Sequence, residues 1–292
     1  MQASILSFLF FSLIYSTVGF AGNEIKVFDR QSSEDTSYDY HYELLELAIK
    51  KSSHKYPDSS LKTIDATTAS RGRNIALLDQ EQIDVYWAGT NQEREQRFIP
   101  IRIPLVFGLL GYRVLIIHQD NLALFKKMRQ DPEKLKTLIA CQGTFWPDSD
   151  ILEDNGYKVQ RVIRFDLIFK MLARDRCQYF PRAIFEGYAE LAAAKQKFPE
   201  LVMFDEVLLH YKYPMYLFIN KENTKLAEQL RYGLQKAAED GSMLEFAKSH
   251  DLTKDLFPLS KWHKKAFITL SNKYLSKETP LSNEKLWLEL SQ

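Results

Sequence analysis

Apolar and polar positions follow two rhythms along this chain. Residues 24–28 (EIKVF), 61–64 and 83–87 (IDVYW) are short runs rich in β-branched, aliphatic and aromatic side chains, which predicts strands. Between the first two, residues 40–51 carry Leu44, Leu45, Leu47, Ala48 and Ile49 at amphipathic-helix spacing, and residues 70–79 predict another helix. Short strands alternating with helices predict a parallel sheet. Residues 98–105 hold Pro100 and Pro104, which excludes a helix and predicts an extended segment. Residues 109–117 (LLGYRVLII) predict a strand, with Gly108 and Gly111 letting the backbone bend, and read as a crossover into a second lobe.

The same alternation then restarts. Strands are predicted at 138–142, 157–162, 177–181 and 201–204, and helices near 148–155, 166–174 and 183–197. Residues 213–219 (YPMYLFI) read as the returning crossover strand. Residues 224–240 predict a helix with Leu226, Leu230, Leu234 and Ala237 on one face, Thr224 as N-cap and Gly241 as stop. A short helix is predicted over 243–250. The chain thus divides into a discontinuous first lobe, 22–107 plus 220–292, and a second lobe, 108–219. Its last stretch, 258–292, carries Trp262, Trp287 and apolar spacing at Phe267, Leu270 and Tyr274; it is expected to pack on the first lobe, with partner docking as the alternative.

Residues 1–21 have a different texture. Residues 5–15 are apolar apart from Ser7 and Ser12, and small residues stand at Gly19 and Ala21, the layout of a secretory signal peptide cleaved after Ala21. The apolar run is too short for a spanning helix, which needs about 20 residues. The mature protein is therefore expected to be exported to the periplasm. There Cys141 and Cys177 can oxidise to a disulfide, the plainer alternative being two buried thiols. Of the 292 residues 45% are hydrophobic and 26% charged, ordinary for a globular protein, and the net charge of +1 gives no basic field for nucleic acid.

Several segments, taken in order, resemble the periplasmic solute-binding protein family 3, the amino-acid-binding type. Residues 82–85 (QIDV) resemble its glycine–hydrophobic–aspartate element, with Gln82 in place of glycine. Residues 90–94 (TNQER) resemble its threonine–x–glutamate–arginine element, with one extra residue. Residues 104–110 (PLVFGLL), 138–144 (LIACQGT) and 216–221 (YLFINK), then 239–242 (EDGS), resemble the entry to its crossover, its second-lobe strand and turn, its return strand and its closing turn. The resemblance covers roughly residues 24–250. It implies an α/β, two-lobe periplasmic-binding-protein-like fold, each lobe a mainly parallel sheet flanked by helices, joined by two crossover strands. It also implies capture of a small solute in the cleft between the lobes.

Clefts in such sheets lie beyond the carboxyl ends of the strands, which selects candidates independently. Arg94 matches the arginine that, in the family, grips the ligand carboxylate; the alternatives are an exposed arginine or a slip of register to Arg97. Thr90 offers a hydroxyl beside it or is a turn residue. Gly143 and Thr144 end a strand and open a helix, where free N–H groups favour an anion or simple capping. At Arg182 the family often carries an aspartate for the ligand ammonium. Either Arg182 faces the cleft, and with Arg94 favours a dianion, or it points to solvent and the ammonium site is lost or moved to Asp29 or Glu186. Trp87, Tyr112 and Trp146 stand where they can stack on a ligand or pack the rim. Arg113 reaches the cleft or pins the hinge.

No nucleophile elbow, H-E-x-x-H helix or P-loop appears, and the six histidines make no metal-ligand spacing. The expectation is a binding protein, not an enzyme, with no metal or cofactor. It acts as a monomer that hands a solute to a membrane transporter. The alternatives are a sensor or orphan binding protein working through a protein partner and, further off, dehydratase- or lyase-like chemistry on the same fold.

Overall fold

In the computed structural model, residues 23–30, 37–64 and 71–290 are described, the side chains of 71–74 excepted. The signal-peptide reading of residues 1–21 falls outside them. The first sheet contains β1 (Asn23–Phe28), β2 (Ser59–Ile64), β3 (Val85–Gly89), β4 (Ile99–Ile101) and β10 (Met215–Ile219), in the order β2-β1-β3-β10-β4. β1 runs parallel to β2 and β3, and β10 lies antiparallel between β3 and β4. The second contains β5 (Tyr112–His118), β6 (Ile139–Gly143), β7 (Lys158–Val162), β8 (Tyr179–Ala183), β9 (Leu201–His210) and β11 (Ala266–Thr269), in the order β11-β9-β5-β8-β6-β7. β6 is parallel to β7 and β8, whereas β5 is antiparallel to β8 and β9. The two-lobe α/β expectation holds, with antiparallel strands in both sheets where the chain enters and leaves each lobe.

Helices flank both sheets: α1 (Tyr38–Ser52), α2 (Arg71–Asp79), α3 (Gln92–Arg97), α8 (Thr224–Glu239) and α9 (Ser242–Ser249) with the first, and α4 (Leu122–Lys127), α5 (Pro147–Asp154), α6 (Phe165–Ala173) and α7 (Gly187–Ala194) with the second. The predicted apolar stripe of α8 is buried at Leu226, Leu230, Leu234 and Ala237 and packs on α1. Its cap lies one residue earlier than expected, since the Asn223 side chain accepts the Leu226 N–H at 3.4 Å. Two prolines lie inside strands, where the missing N–H limits which neighbour each strand can pair with. Pro100 lies in edge strand β4, and Pro181 lies beyond the one residue, Tyr179, at which β8 pairs with β6.

Two expectations are corrected and one open alternative is decided. Residues 215–219 belong to the first sheet, because β10 fills the gap between β3 and β4; the second crossover is only residues 211–214. There Tyr211 donates its N–H to Gly111 O at 3.1 Å and binds the two crossovers together. Cys141 and Cys177 are disulfide-bonded, with Cα atoms 5.6 Å apart, because β6 and the approach to β8 are neighbours. The C-terminal stretch does not pack on the first lobe alone. β11 adds a parallel edge to β9, covering backbone that would otherwise be an open sheet edge. Asn155, bonded to Ser271, and the Lys273–Asp154 pair (2.8 Å) hold residues 271–273 to the second lobe, and Glu278 reaches Arg102 of the first at 2.7 Å. Trp287 then lies against Gly108, where a Cβ would come within 2.3 Å of its ring, and Glu289 bonds both Tyr112 and Lys212.

Candidate functional site

The carboxyl ends of β1, β3 and β6 and the start of β5 face one another across a narrow cleft. From the first lobe come Phe28, Trp87, Gly89 and Arg94, with Ser37 and His41 from the start of α1. From the second come Arg113, Trp146, Asp148, Arg182 and Glu186, while Tyr213 and Met215 close the hinge side. The free space between these walls is about 70 Å³. A larger groove, about 1060 Å³, runs between Asp39, Glu43, Tyr188, Trp262 and Lys265, away from these strand ends.

Arg94 is placed by a short helix. The Asn91 side chain caps α3 by accepting the Arg94 N–H at 2.9 Å. The guanidinium donates to Gly89 O on its own lobe and, at 3.4 Å, to Phe145 O on the other. Among the described residues no carboxylate lies within ion-pair distance of it. Arg97 is turned elsewhere, pairing with Asp79 at 2.8 Å.

Beneath Arg94 the floor is built of buried ion pairs. Arg113 pairs with Asp148 at 2.9 Å, donates to the Tyr211 hydroxyl at 2.9 Å and lies over the Tyr211 and Tyr213 rings, each 5.6 Å away. Burial works against its charge, but Tyr211 and Asp148 outweigh burial and hold it protonated above the usual arginine range. Arg182, only 2% exposed, donates to Glu186 at 2.7 Å and to both oxygens of Glu190 at 2.5 and 2.6 Å. Its guanidinium lies 4.8 Å from the Trp146 ring. Burial again opposes the charge, and the two glutamates overcome it and raise the pKa.

Four of the eight residues selected from sequence line the cleft: Arg94, Arg182, Trp87 and Trp146. The other four do not. Thr90 donates its hydroxyl to Glu95 at 2.6 Å, so it braces α3. Gly143 lies under the Trp146 ring, where a Cβ would come within 2.5 Å, and its carbonyl accepts Ser149 Oγ. Thr144 donates its N–H to Val162 O, and Asp148 and Asp150 already occupy the first turn of α5, so no anion site opens there. Asp29 accepts its neighbour's N–H at Arg30. Arg182 faces the cleft rather than solvent, but its charge is neutralised by Glu186 and Glu190, which removes the basis for a dianion. Trp87 is held by Phe28 at 4.3 Å and stacks on His41 at 5.6 Å. Sequence reasoning did not reach Asp148, Tyr213, His41 or Glu190. Asp148 stands a few residues past the Gly143–Thr144 turn, and strand-end position was its only signal.

No family model and no curated protein sequence matches the chain. Solved structures do. An ancestral arginine-binding protein bound to arginine is 16% identical, with a TM-score of 0.53, covering 77% of this chain and 97% of its own. The GluR0 ligand-binding core from Nostoc punctiforme in complex with L-glutamate gives 11% and 0.51, covering 77% and 96%. A histidine kinase sensor domain with similarity to periplasmic binding proteins gives 12% and 0.54, covering 77% and 94%. Two sheets, paired crossovers and a cleft at the strand ends, matched over most of the length of each of these structures, give this chain the two-lobe fold of the periplasmic binding proteins.

Proposed function

We propose that the protein is an exported, monomeric solute-binding protein that captures a small amino-acid-like solute in the interlobe cleft and presents it to a membrane transporter. The observation that carries this reading is charge separation along the cleft. Among the described residues, Arg94 stands at the mouth with no carboxylate partner, and deeper in the cleft Asp148 and Glu186 line the wall beside Arg113 and Arg182. A zwitterion matches that dipole, its carboxylate on the planar fork of Arg94 and its ammonium toward Asp148 and Glu186. Binding rather than turnover is favoured because Asp148, Glu186 and Glu190 are each committed to an ion pair. The signal-like residues 1–21 and the disulfide support export to an oxidising compartment. Presentation to a signalling protein is the second reading, favoured by the likeness to a kinase sensor domain.

Thermal unfolding of residues 22–292 with a panel of amino acids, small carboxylates, polyamines and sugars tests this. A solute at 100 times its Kd should add about 2.7 kcal/mol of stability, and Arg94→Ala should abolish the gain. Stabilisation by no solute, or an unaltered gain in Arg94→Ala, would overturn the proposal.

A further inference from the structure

Arg182 occupies a receptor made of its own protein. A cationic ligand is ordinarily held by an aromatic face and one or two carboxylates. Here Trp146 provides the face at 4.8 Å, with Phe180 at 5.2 Å beside it, and Glu186 and Glu190 provide the carboxylates. The two glutamates stand one helical turn apart at the start of α7, so both reach the same guanidinium. Gly187 keeps the passage clear: a Cβ there would come 3.1 Å from Arg182 Cβ and 2.9 Å from Val114 Cγ2. The cation is delivered by β8 and is part of the cleft wall.

The space that remains is small. About 70 Å³ corresponds to about five to seven water-sized positions, at roughly 10–15 Å³ each. We propose that Arg182 is the specificity-determining residue of this cleft. It fills the region where a ligand side chain would lie, and so restricts the solute to a compact amino acid of about five to seven non-hydrogen atoms. This rests on the solute-binding reading above and adds to it the class of solute. Glycine, alanine and serine fall inside the limit; glutamate, arginine and phenylalanine fall outside it.

Calorimetric titration of residues 22–292 with glycine, alanine, serine, glutamate, arginine and phenylalanine tests the size limit. At least a tenfold tighter Kd for a compact member than for the three large ones is expected. Binding of a large member as tightly as any compact one would overturn the limit while leaving solute binding intact; binding of none of the six would overturn the limit, and the wider thermal panel above decides solute binding separately. Two variants test the residue. Arg182→Lys keeps a cation beside the glutamates but withdraws the planar group from Trp146. Trp146→Phe leaves every ionic partner in place and opens room beside the guanidinium. Either should reduce the compact-over-large ratio at least tenfold, and a ratio unchanged in a folded variant would overturn the role of Arg182.

Discussion

His210 shows how a single side chain can set a pH limit on this molecule. It stacks on Tyr112 at 4.0 Å between the crossovers, and burial, reinforced by Lys212, lowers its pKa from 6.5 to about 4, against the opposing pull of Glu289. Below pH 6.5 the unfolded chain takes up a proton that the folded chain refuses until about pH 4. The neutral ring therefore contributes its full stability above pH 6.5, and that contribution drains away as pH falls toward 4. The shift corresponds to at most about 3 kcal/mol. Urea unfolding of wild type and His210→Phe at pH 7 and pH 4.5 checks it. Wild type should lose about 2–3 kcal/mol more than the variant over that interval, and equal losses would refute the assignment. Residue roles of this kind were poorly legible in the sequence. Arg94 could be found because its segment resembles a known element, but Thr90 in the same segment turned to Glu95 once Asn91 capped the helix. Arg113 and Asp148 are 35 positions apart and meet only after two strands and a helix have folded, so neither advertises the other.

Elements were easier to read, because hydrophobic periodicity is local. Nearly every expected strand and helix appears within a few residues of its predicted position. The exceptions have physical causes. β9 extends to His210 although the apolar run seemed to end at Phe204, because Asp205 and Glu206 are only partly buried and the strand continues past them. α7 begins at Gly187 rather than 183, because β8 carries through Pro181 to Ala183. The contact between α1 and α8 makes a prediction against intrinsic propensity. Gly233→Ala should gain about 1 kcal/mol of helix propensity. Yet the added Cβ would lie 1.9 Å from the Ala48 carbonyl oxygen, a backbone atom that cannot swing aside. Overpacking of this kind costs roughly 1–3 kcal/mol, more where the helices must part. We expect a net loss of at least about 1 kcal/mol in urea unfolding; a stabilised variant would mean that the helices separate freely.

At the scale of the whole molecule, the disulfide ties stability to the compartment. Cys141 and Cys177 are 36 positions apart, and cross-linking a loop of that length contributes about 3–4 kcal/mol by restricting the unfolded chain. Cys141→Ser with Cys177→Ser should unfold at correspondingly lower urea. Reductant should bring wild type down to the same midpoint and leave the variant where it was; a wild-type midpoint indifferent to reductant would contradict this. The sequence supplied both cysteines but not their distance, just as it supplied the apolar spacing of the C-terminal stretch but not its path. That path bears on how the protein can be handled. Among the described residues the path runs over one lobe, touches the other and reaches the crossovers at Leu290, which is fully buried and donates its N–H to the Tyr112 hydroxyl at 3.3 Å. A fluorophore or linker placed at Leu290 would therefore be set into the packed connection between the two sheets rather than on the surface of either lobe.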